Sequence, residues 1–185
     1  MSSPIHVLGI SGSLRRASWN SGLLRAAAEL LPEGMTLEIF DLAPIPMYNQ
    51  DLERDPPAAV VELRTRVAAA DGLLIATPEY NYSIPGVLKN AIDWASRPRQ
   101  SSSLSGKPLA LMGAGGRFGT VRAQLHLRQI AHELGVLPLG KPELMVPGAW
   151  EKFDSDGNLV HEPTREELRA LLAAFAQWVR RLRGH

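Results

Sequence analysis

A short loop between residues 10 and 20 gathers side chains that bind anions. Its hydroxyl, amide and guanidinium groups belong to Ser11, Ser13, Arg15, Arg16, Ser18 and Asn20. An apolar segment, residues 5–9, precedes the loop, and a helical pattern, residues 23–31, follows it. Backbone N–H groups at a helix N-terminus are free to donate, and the helix dipole favours an anion there. Arginine adds charged hydrogen bonds. The loop therefore predicts a phosphate-binding site.

The spacing excludes two better-known phosphate loops. No Gly-Lys-Ser/Thr closes this loop, so it is not a Walker loop, and the dinucleotide fingerprint Gly-x-Gly-x-x-Gly is absent as well. The alternative is an ordinary strand-to-helix turn that Asn20 caps. We expect one of Arg15 and Arg16 to be solvated, and the sequence favours neither of the two.

A second stretch, Thr77–Gly86, has the composition of a rigid aromatic platform. It follows the apolar run Gly72–Ala76. Its prolines fix their own φ angles and restrict the residues before them, and Tyr80 and Tyr82 lie between the prolines. Braced tyrosines at the carboxyl end of a strand favour the binding of a flat ring. The alternative is a surface loop whose tyrosines pack on neighbouring side chains.

A glycine-rich stretch, Met112–Gly119, is the third candidate. Residues Gly113–Gly116 carry little or no side chain, so the backbone can approach a ligand closely. The spacing almost matches the dinucleotide fingerprint, but Phe118 stands where the last glycine belongs. The alternative is a tight turn into the following helix.

Strand-like and helical patterns alternate along the chain. Strands are predicted near residues 5–10, 35–40, 72–77, 108–113 and 136–146. Helices are predicted near residues 20–31, 57–70, 86–95, 119–134 and 164–182. Pro57 suits the first turn of the second helix, and the capping box formed by Thr164 and Glu167 is expected to open the last one.

This alternation predicts an α/β fold with a parallel sheet covered by helices on both faces. We expect a flavodoxin-like three-layer sandwich, with a five-stranded parallel sheet in the order 2-1-3-4-5, as a single domain over residues 1–185. In this order a ligand lies outside the carboxyl ends of the strands, at the switch point. The loops after strands one and three flank that crevice, and they are the first two loops described above.

The composition excludes several functional classes. Hydrophobic residues make up 45% of the 185 residues and charged residues 21%, which are globular values. A net charge of +1 produces no broad electrostatic field, so nucleic acid is not an expected partner. The absence of cysteine excludes disulfides, thiolate catalysis and iron–sulfur clusters. We find no signal-peptide pattern and no apolar run of membrane-spanning length, and therefore expect a cytoplasmic protein without a membrane partner.

Two groups that resemble metal ligands are interpreted as structural. Residues Asp154–Asn158 resemble a calcium loop, but the glycine is misplaced and Arg165 stands where a glutamate is required. We expect a polar turn there. His126 and His132 are six residues apart, on different faces of a predicted helix, so they are not expected to share a metal ion. No metal site is predicted.

Taken together, the loops resemble the NAD(P)H-dependent FMN reductase family of flavodoxin-like proteins, which includes soluble quinone, chromate and azo-dye reductases. The matching residues are Gly12–Arg15, Ser18, Asn20, Pro78–Ser83, Pro85, Gly86, Leu88–Trp94, Gly106–Pro108, His126–Ile130 and Lys141–Glu143. The resemblance covers roughly residues 5 to 150. Trp19 departs from it, because phenylalanine is more usual there, and Gly113–Gly116 is richer in glycine than some relatives.

The resemblance implies an FMN cofactor that takes a hydride from NADPH or NADH. It implies ping-pong transfer to quinones, flavins, azo compounds or metal oxyanions such as chromate. No catalytic side chain is implied, because the isoalloxazine carries out the redox step. The implied cofactor-binding residues are Ser11, Ser13, Leu14, Arg15, Ser18 and Asn20 in the phosphate loop, Pro78, Glu79, Tyr80, Asn81 and Tyr82 at the ring, largely through backbone groups, and Gly113, Ala114, Gly115 and Gly116 along the flavin edge. Tyr80 is also a candidate border of the nicotinamide site.

Two other classes are alternatives to an enzyme. A flavodoxin-type electron carrier is typically strongly acidic and has a threonine-rich phosphate loop, whereas this chain is near neutral and uses serine and arginine. A flavin-fold sensor or interaction protein has no supporting residue pattern. NAD(P)H oxidation measured with and without a quinone separates the enzyme from both. The sequence favours neither NADPH nor NADH.

The resemblance also implies a homodimer or homotetramer with the flavin site near a subunit boundary. The segment Ile45–Tyr48 is expected to expose apolar groups in a long loop. A predicted helix with Leu125, His126 and Arg128 has a mixed surface suited to an interface. The alternative is a monomer whose long loop folds back on its own sheet.

Overall fold

The computed structural model describes residues 3–184, which form six strands and five α-helices. The strands are β1 (Ile5–Ser11), β2 (Met35–Phe40), β3 (Gly72–Ala76), β4 (Pro108–Ala114), β5 (Leu137–Pro138) and β6 (Leu144–Val146). The helices are α1 (Trp19–Glu29), α2 (Ala58–Ala69), α3 (Gly86–Ala95), α4 (Val121–Glu133) and α5 (Glu162–Leu182). None of these helices is both long and apolar enough to cross a membrane.

The strands form one parallel sheet in the order β2-β1-β3-β4-β5, with β6 also paired to β4. β1 lies between β2 and β3, and its last residue, Ser11, is in register with Ala76 at the end of β3. β3 is in turn paired to β4, with Ala76 opposite Met112. The predicted fold class and strand order are confirmed, and the loops after β1, β3 and β4 leave the sheet at the same edge.

The prediction of one continuous fifth strand over residues 136–146 is wrong. β5 pairs with the start of β4 and β6 with its end, and residues 140–143 leave the sheet after a last hydrogen bond from the N–H of Leu139 to the carbonyl of Leu109 at 2.7 Å. This segment contains Gly140 and Pro142, and proline cannot donate to a strand ladder. The guanidinium of Arg128 satisfies the carbonyl of Leu139, donating to it at 3.0 Å.

Three helix starts also differ from expectation. α5 begins at Glu162, so Thr164 is not its cap but a buried residue in the first turn, hydrogen-bonded to Nδ1 of His161 at 3.0 Å. Pro57 is the N-cap of α2 rather than a residue of its first turn. In α1 the capping residue is Ser18, whose hydroxyl accepts from the backbone N–H of Ser21 at 3.3 Å, and not Asn20.

Two apolar cores cover the two faces of the sheet, as expected for three layers. In β1, Ile5 and Val7 face the core formed with α1 and α5, whereas Leu8 and Ile10 face the core formed with α2, α3 and α4. This alternation follows from the two-residue period of a strand. All seven residues of β4 are buried, because the central strand is covered on both faces.

The long loop after β2 folds back onto the protein. The expectation that Ile45–Tyr48 exposes its apolar side chains is therefore wrong for Ile45 and Tyr48. Ile45 is buried, and the ring of Tyr48 packs edge-on against Trp94 with centroids 5.0 Å apart. The backbone N–H of Tyr48 donates to Asn90 Oδ1 at 2.7 Å. Met47 is the strongly exposed member, at 77%. Within Ile45–Tyr48, Met47 is therefore the apolar side chain that a partner could contact.

Candidate functional site

The three loops predicted from the sequence meet in a cleft of about 210 Å³ at the carboxyl edge of the sheet. Its lining residues are Ser13, Arg15, Ser18, Trp19, Asn20, Pro78, Glu79, Tyr80, Ala114, Gly115, Gly116 and Gly119. The cleft lies at the switch point between β1 and β3, where ligands bind in open parallel sheets.

The first loop carries free backbone donors beside this cleft, and two of them, the N–H groups of Trp19 and Asn20, belong to residues that line it. The loop is anchored to β3, since the N–H of Gly12 donates to the carbonyl of Ala76 at 2.8 Å. Five backbone N–H groups in this segment have no protein acceptor among residues 3–184, those of Leu14, Arg16, Ala17, Trp19 and Asn20. Together with the N-terminus of α1 they form a ready anion site.

Side chains of the first loop divide into two groups. Ser13, Arg15 and Ser18 line the cleft, and Arg15 lies above the indole of Trp19, with 5.2 Å between the guanidinium carbon and the ring centroid. Ser11 lies behind the loop, where its hydroxyl is hydrogen-bonded to that of Ser21 at 2.9 Å. Leu14 is exposed and does not line the cleft.

Asn20 lines the cleft but binds the third loop with its side chain. Its Nδ2 donates to the carbonyl of Ala114 at 3.0 Å, and its Oδ1 accepts from the N–H of Ala114 at 3.0 Å. Both residues are buried. This double hydrogen bond joins the start of α1 to the end of β4, and it leaves the backbone N–H of Asn20 and one amide hydrogen for a ligand.

The second loop contains a tight two-residue hairpin. The backbones of Tyr80 and Ser83 exchange two hydrogen bonds of 2.9 Å, and Asn81 and Tyr82 between them have φ angles of 50° and 66°. Positive φ at both central positions is the type I′ geometry, which is unfavourable for tyrosine. The hairpin turns Asn81 and Tyr82 away from the cleft lining and leaves Tyr82 66% exposed, whereas Tyr80 lines the cleft.

Glu79 connects the second loop to α4. One carboxylate oxygen accepts from the backbone N–H groups of Arg122 and Ala123 at 2.9 and 3.3 Å, and the other binds the Arg122 guanidinium at 2.9 Å. Thr120, the N-cap of α4, makes no side-chain capping bond, so Glu79 supplies the cap from another loop. The guanidinium of Arg122 also covers the ring of Tyr82, 3.9 Å from its centroid. The sequence reasoning missed Arg122.

The third loop contributes backbone and small residues. Ala114, Gly115 and Gly116 line the cleft, and a Cβ built at Gly116 has no heavy atom within 4 Å. Gly113 does not line it, because it lies within β4 against Thr120, whose Oγ1 would be 1.9 Å from a Cβ at that position. Trp19 and Gly119 line the cleft although they were not predicted as site residues. The departure from the family pattern at Trp19 was the available signal for the first of them.

These features fit a phosphorylated ligand with a flat end. The first loop contributes free amides and a cation to the cleft, and Pro78, Tyr80 and the glycine-rich backbone contribute the rest of its lining. Within residues 3–184 there is no cluster of three or more His, Asp or Glu side chains that could hold a metal ion. The arrangement is that of a nucleotide-type cofactor site without an evident acid–base group.

Comparison with known proteins identifies the class. Residues 5–151 match the model of the NADPH-dependent FMN reductase family. An NAD(P)H-dependent FMN reductase from Pseudomonas aeruginosa is 54% identical over 100% of both chains. A 2-hydroxy-1,4-benzoquinone reductase from Burkholderia sp is 43% identical over 92% of this chain and 94% of the relative. The solved structure of FerB, a flavoenzyme NAD(P)H:(acceptor) oxidoreductase from Paracoccus denitrificans, superposes with a TM-score of 0.85 at 33% identity, covering 96% of this chain and 98% of that one.

Fold, site and sequence therefore define a flavodoxin-like flavoenzyme. The chain belongs to the NADPH-dependent FMN reductase family. It is an FMN-dependent NAD(P)H oxidoreductase, which confirms the family resemblance and the cofactor that the resemblance implies.

Proposed function

We propose that the cleft holds FMN with its phosphate on the loop after β1 and its ring between the loops after β3 and β4. The observation that carries this assignment is the group of free backbone N–H donors between residues 14 and 20, beside Arg15 and the hydroxyls of Ser13 and Ser18. Such a group stabilises a phosphate, because its amides, its hydroxyls and its cation all interact favourably with an anion. We further propose that residues 1–185 form a single domain.

We propose quinones as the principal acceptors. Relatives with more than 40% identity over nearly the whole chain carry quinone reductase names, from Burkholderia sp and from Arabidopsis thaliana. Free flavins, azo compounds and oxyanions such as chromate are further candidate acceptors. The cytoplasm, where NADPH and NADH are supplied, is the proposed location.

The protein groups have binding and orienting roles in this proposal. Bound FMN supplies the hydride and electron chemistry. Arg15 and the loop amides hold its phosphate, and the backbone of residues 114–116 permits close approach along one edge of the ring. Tyr80, half exposed at the rim, borders the space for the nicotinamide or the acceptor. Glu79, whose carboxylate binds Arg122 and Ala123, has the role of holding α4 and the hairpin in place.

Steady-state kinetics should follow a ping-pong mechanism. The proposed ring position lies in a single cleft of about 210 Å³, which leaves little room for both substrates, so we expect NAD(P)H to leave before a quinone enters. Varying both substrates is expected to give parallel double-reciprocal lines, and NAD(P)H alone should bleach the flavin anaerobically. Intersecting lines, or a flavin that NAD(P)H leaves oxidised, would contradict the mechanism.

We also propose a homodimer or homotetramer. A groove of about 770 Å³ lies between α3 and α4, and its lining includes the apolar residues Ile84, Ile92, Ile130 and Leu134. Cations (Lys89, Arg97, Arg99) and anions (Asp93, Glu133) both border the groove, and they form ion pairs within the chain. The groove therefore presents an apolar floor with balanced charge at its border to a second copy related by a two-fold axis.

The groove and the cofactor cleft are adjacent. Ser83 lines the groove, and its backbone partner Tyr80 lines the cleft. The hydroxyl of Ser83 is also hydrogen-bonded to His126 Nδ1 of α4, at 2.9 Å. A partner in the groove would therefore lie beside the flavin site.

Light scattering tests the assembly. At micromolar concentration the mass should be two or four times that of the 20.2 kDa chain. The result should hold for the FMN-loaded and the FMN-free protein alike, because most of the groove residues belong to α3 and α4 rather than to the cofactor loops. A monomeric mass with full reductase activity would overturn the proposal.

A further inference from the structure

The polar turn Asp154–Asn158 lies directly behind the proposed phosphate loop. Its ends are joined by a bridge between Phe153 and Leu159. The carboxylate of Asp154 accepts from the backbone N–H groups of Asp156 and Asn158 at 3.0 and 2.8 Å. These hydrogen bonds, the one from Asn158 above all, lower the pKa of Asp154. The turn is thus a closed unit with its own internal bonds.

The turn and the phosphate loop are in contact through their backbones. Gly157 has a φ of +77°, and a Cβ there would lie 2.6 Å from the carbonyl oxygen of Ala17 and 3.2 Å from that of Ser18. On the other side, a Cβ at Gly22 of α1 would lie 1.8 Å from the oxygen of Gly157. No side chain fits between these segments, because real Cβ atoms do not approach so closely.

A side chain of α1 clamps the turn in this position. The Nε of Arg25 donates to Asn158 Oδ1 at 2.9 Å, and one of its terminal nitrogens donates to the carbonyl of Gly157 at 3.0 Å. Beside the turn, the rings of Phe153 and Trp19 lie 6.3 Å apart between centroids. Trp19 is also the residue beneath Arg15. The turn therefore contacts both the backbone and the aromatic support of the proposed phosphate site.

We propose that the Asp154–Asn158 turn positions the phosphate loop and so determines how strongly the enzyme prefers FMN to riboflavin. By holding the Ala17 and Ser18 carbonyls from behind, it fixes the direction of the free N–H groups between residues 14 and 20. The inference rests on the proposed placement of the FMN phosphate. The turn lies beyond residues 5–151, the part matched by the family model, and it does not line the cofactor cleft.

The test compares two glycine-to-alanine variants at positions with the same φ angle. Gly157→Ala introduces a methyl group against Ala17, whereas Gly34 has the same φ of +77° and no heavy atom within 4 Å of a Cβ. Dissociation constants of FMN and riboflavin are measured by flavin fluorescence with the full-length apoprotein. Gly157→Ala should weaken FMN binding at least about fivefold and riboflavin binding less than about twofold, and Gly34→Ala should leave both constants near the wild-type values.

A second variant keeps the inference testable if Gly157→Ala does not fold. Arg25→Met removes the clamp without a steric clash and should weaken FMN binding about threefold, again with little effect on riboflavin. Equal weakening of both ligands, or an unchanged preference in a folded variant, would overturn the positioning role. If the wild-type protein itself binds FMN and riboflavin equally, the placement of the phosphate is wrong, which is a different failure from an unchanged preference in the variants.

Discussion

Replacing Arg15 by alanine should weaken FMN binding at least about tenfold while riboflavin binding changes little. Arg15 is the cation that lines the cleft, and its guanidinium lies over Trp19, 5.2 Å from the ring centroid, rather than pointing freely into solvent. A hydrogen bond to a charged group contributes about 1.5–3 kcal/mol, and about 1.4 kcal/mol corresponds to a factor of ten in affinity. Fluorescence titration of the apoprotein with each flavin measures the effect.

Arg16→Ala is the matched control. Arg16 is the adjacent cation in the chain and is also exposed, but it does not line the cleft. We expect FMN affinity within about twofold of the wild type, since the charge of Arg16 is screened by water and salt. Equal losses in the two variants would show that general positive charge, not the cleft geometry, attracts the phosphate.

The placement of the three loops could be predicted from the sequence because it follows from topology. In a parallel sheet the carboxyl ends of neighbouring strands lie at one edge, so the loops after β1, β3 and β4 must meet once the strand order is known. Ten of the fifteen predicted cofactor-binding residues line the cleft. That these residues contact FMN stays a prediction.

The direction of individual side chains could not be predicted in the same way. Ser11 ends β1 and turns to Ser21 on α1, while Asn81 and Tyr82 are turned outward by a two-residue hairpin. Both outcomes depend on local φ and ψ values. Residue types predict φ and ψ poorly where an unfavourable residue occupies a position of positive φ, and Tyr82 is such a residue.

Contacts between distant segments were also beyond sequence reasoning. The bond between Glu79 and Arg122 joins residues 43 positions apart, and nothing local shows that α4 lacks a capping side chain of its own. The break between β5 and β6 is different, because Gly140 and Pro142 are visible in the sequence. The apolar residues on both sides favoured one continuous strand, although Gly140 and Pro142 indicate an interruption, and the interruption is what the structure has.

Asn20→Ala should lower the free energy of unfolding of the apoprotein by about 2–4 kcal/mol, because it leaves the buried N–H and C=O of Ala114 without partners. It should also weaken FMN binding, since the bond joins the loops proposed to hold the phosphate and the ring. Urea denaturation and flavin titration measure the two effects. A loss below about 1 kcal/mol would mean that water replaces the amide and that the link between the loops is not structural.

Asn90→Ala is the control that distinguishes a loss of stability from a loss of FMN binding. The side-chain amide of Asn90 also makes two hydrogen bonds to backbone groups: it accepts from the N–H of Tyr48 at 2.7 Å and donates to the carbonyl of Pro46 at 2.9 Å. These bonds join the loop after β2 to α3, and Asn90 does not line the cleft. We expect a smaller loss of stability, because the Pro46 carbonyl keeps the Trp94 Nε1 donor at 2.8 Å, and we expect FMN affinity to be retained. Both variants remove hydrogen bonds from a side-chain amide to backbone groups, but only those of Asn20 join the cofactor loops. If Asn90→Ala weakened FMN binding as much as Asn20→Ala does, the loss of FMN binding in Asn20→Ala would result from lower stability of the whole protein.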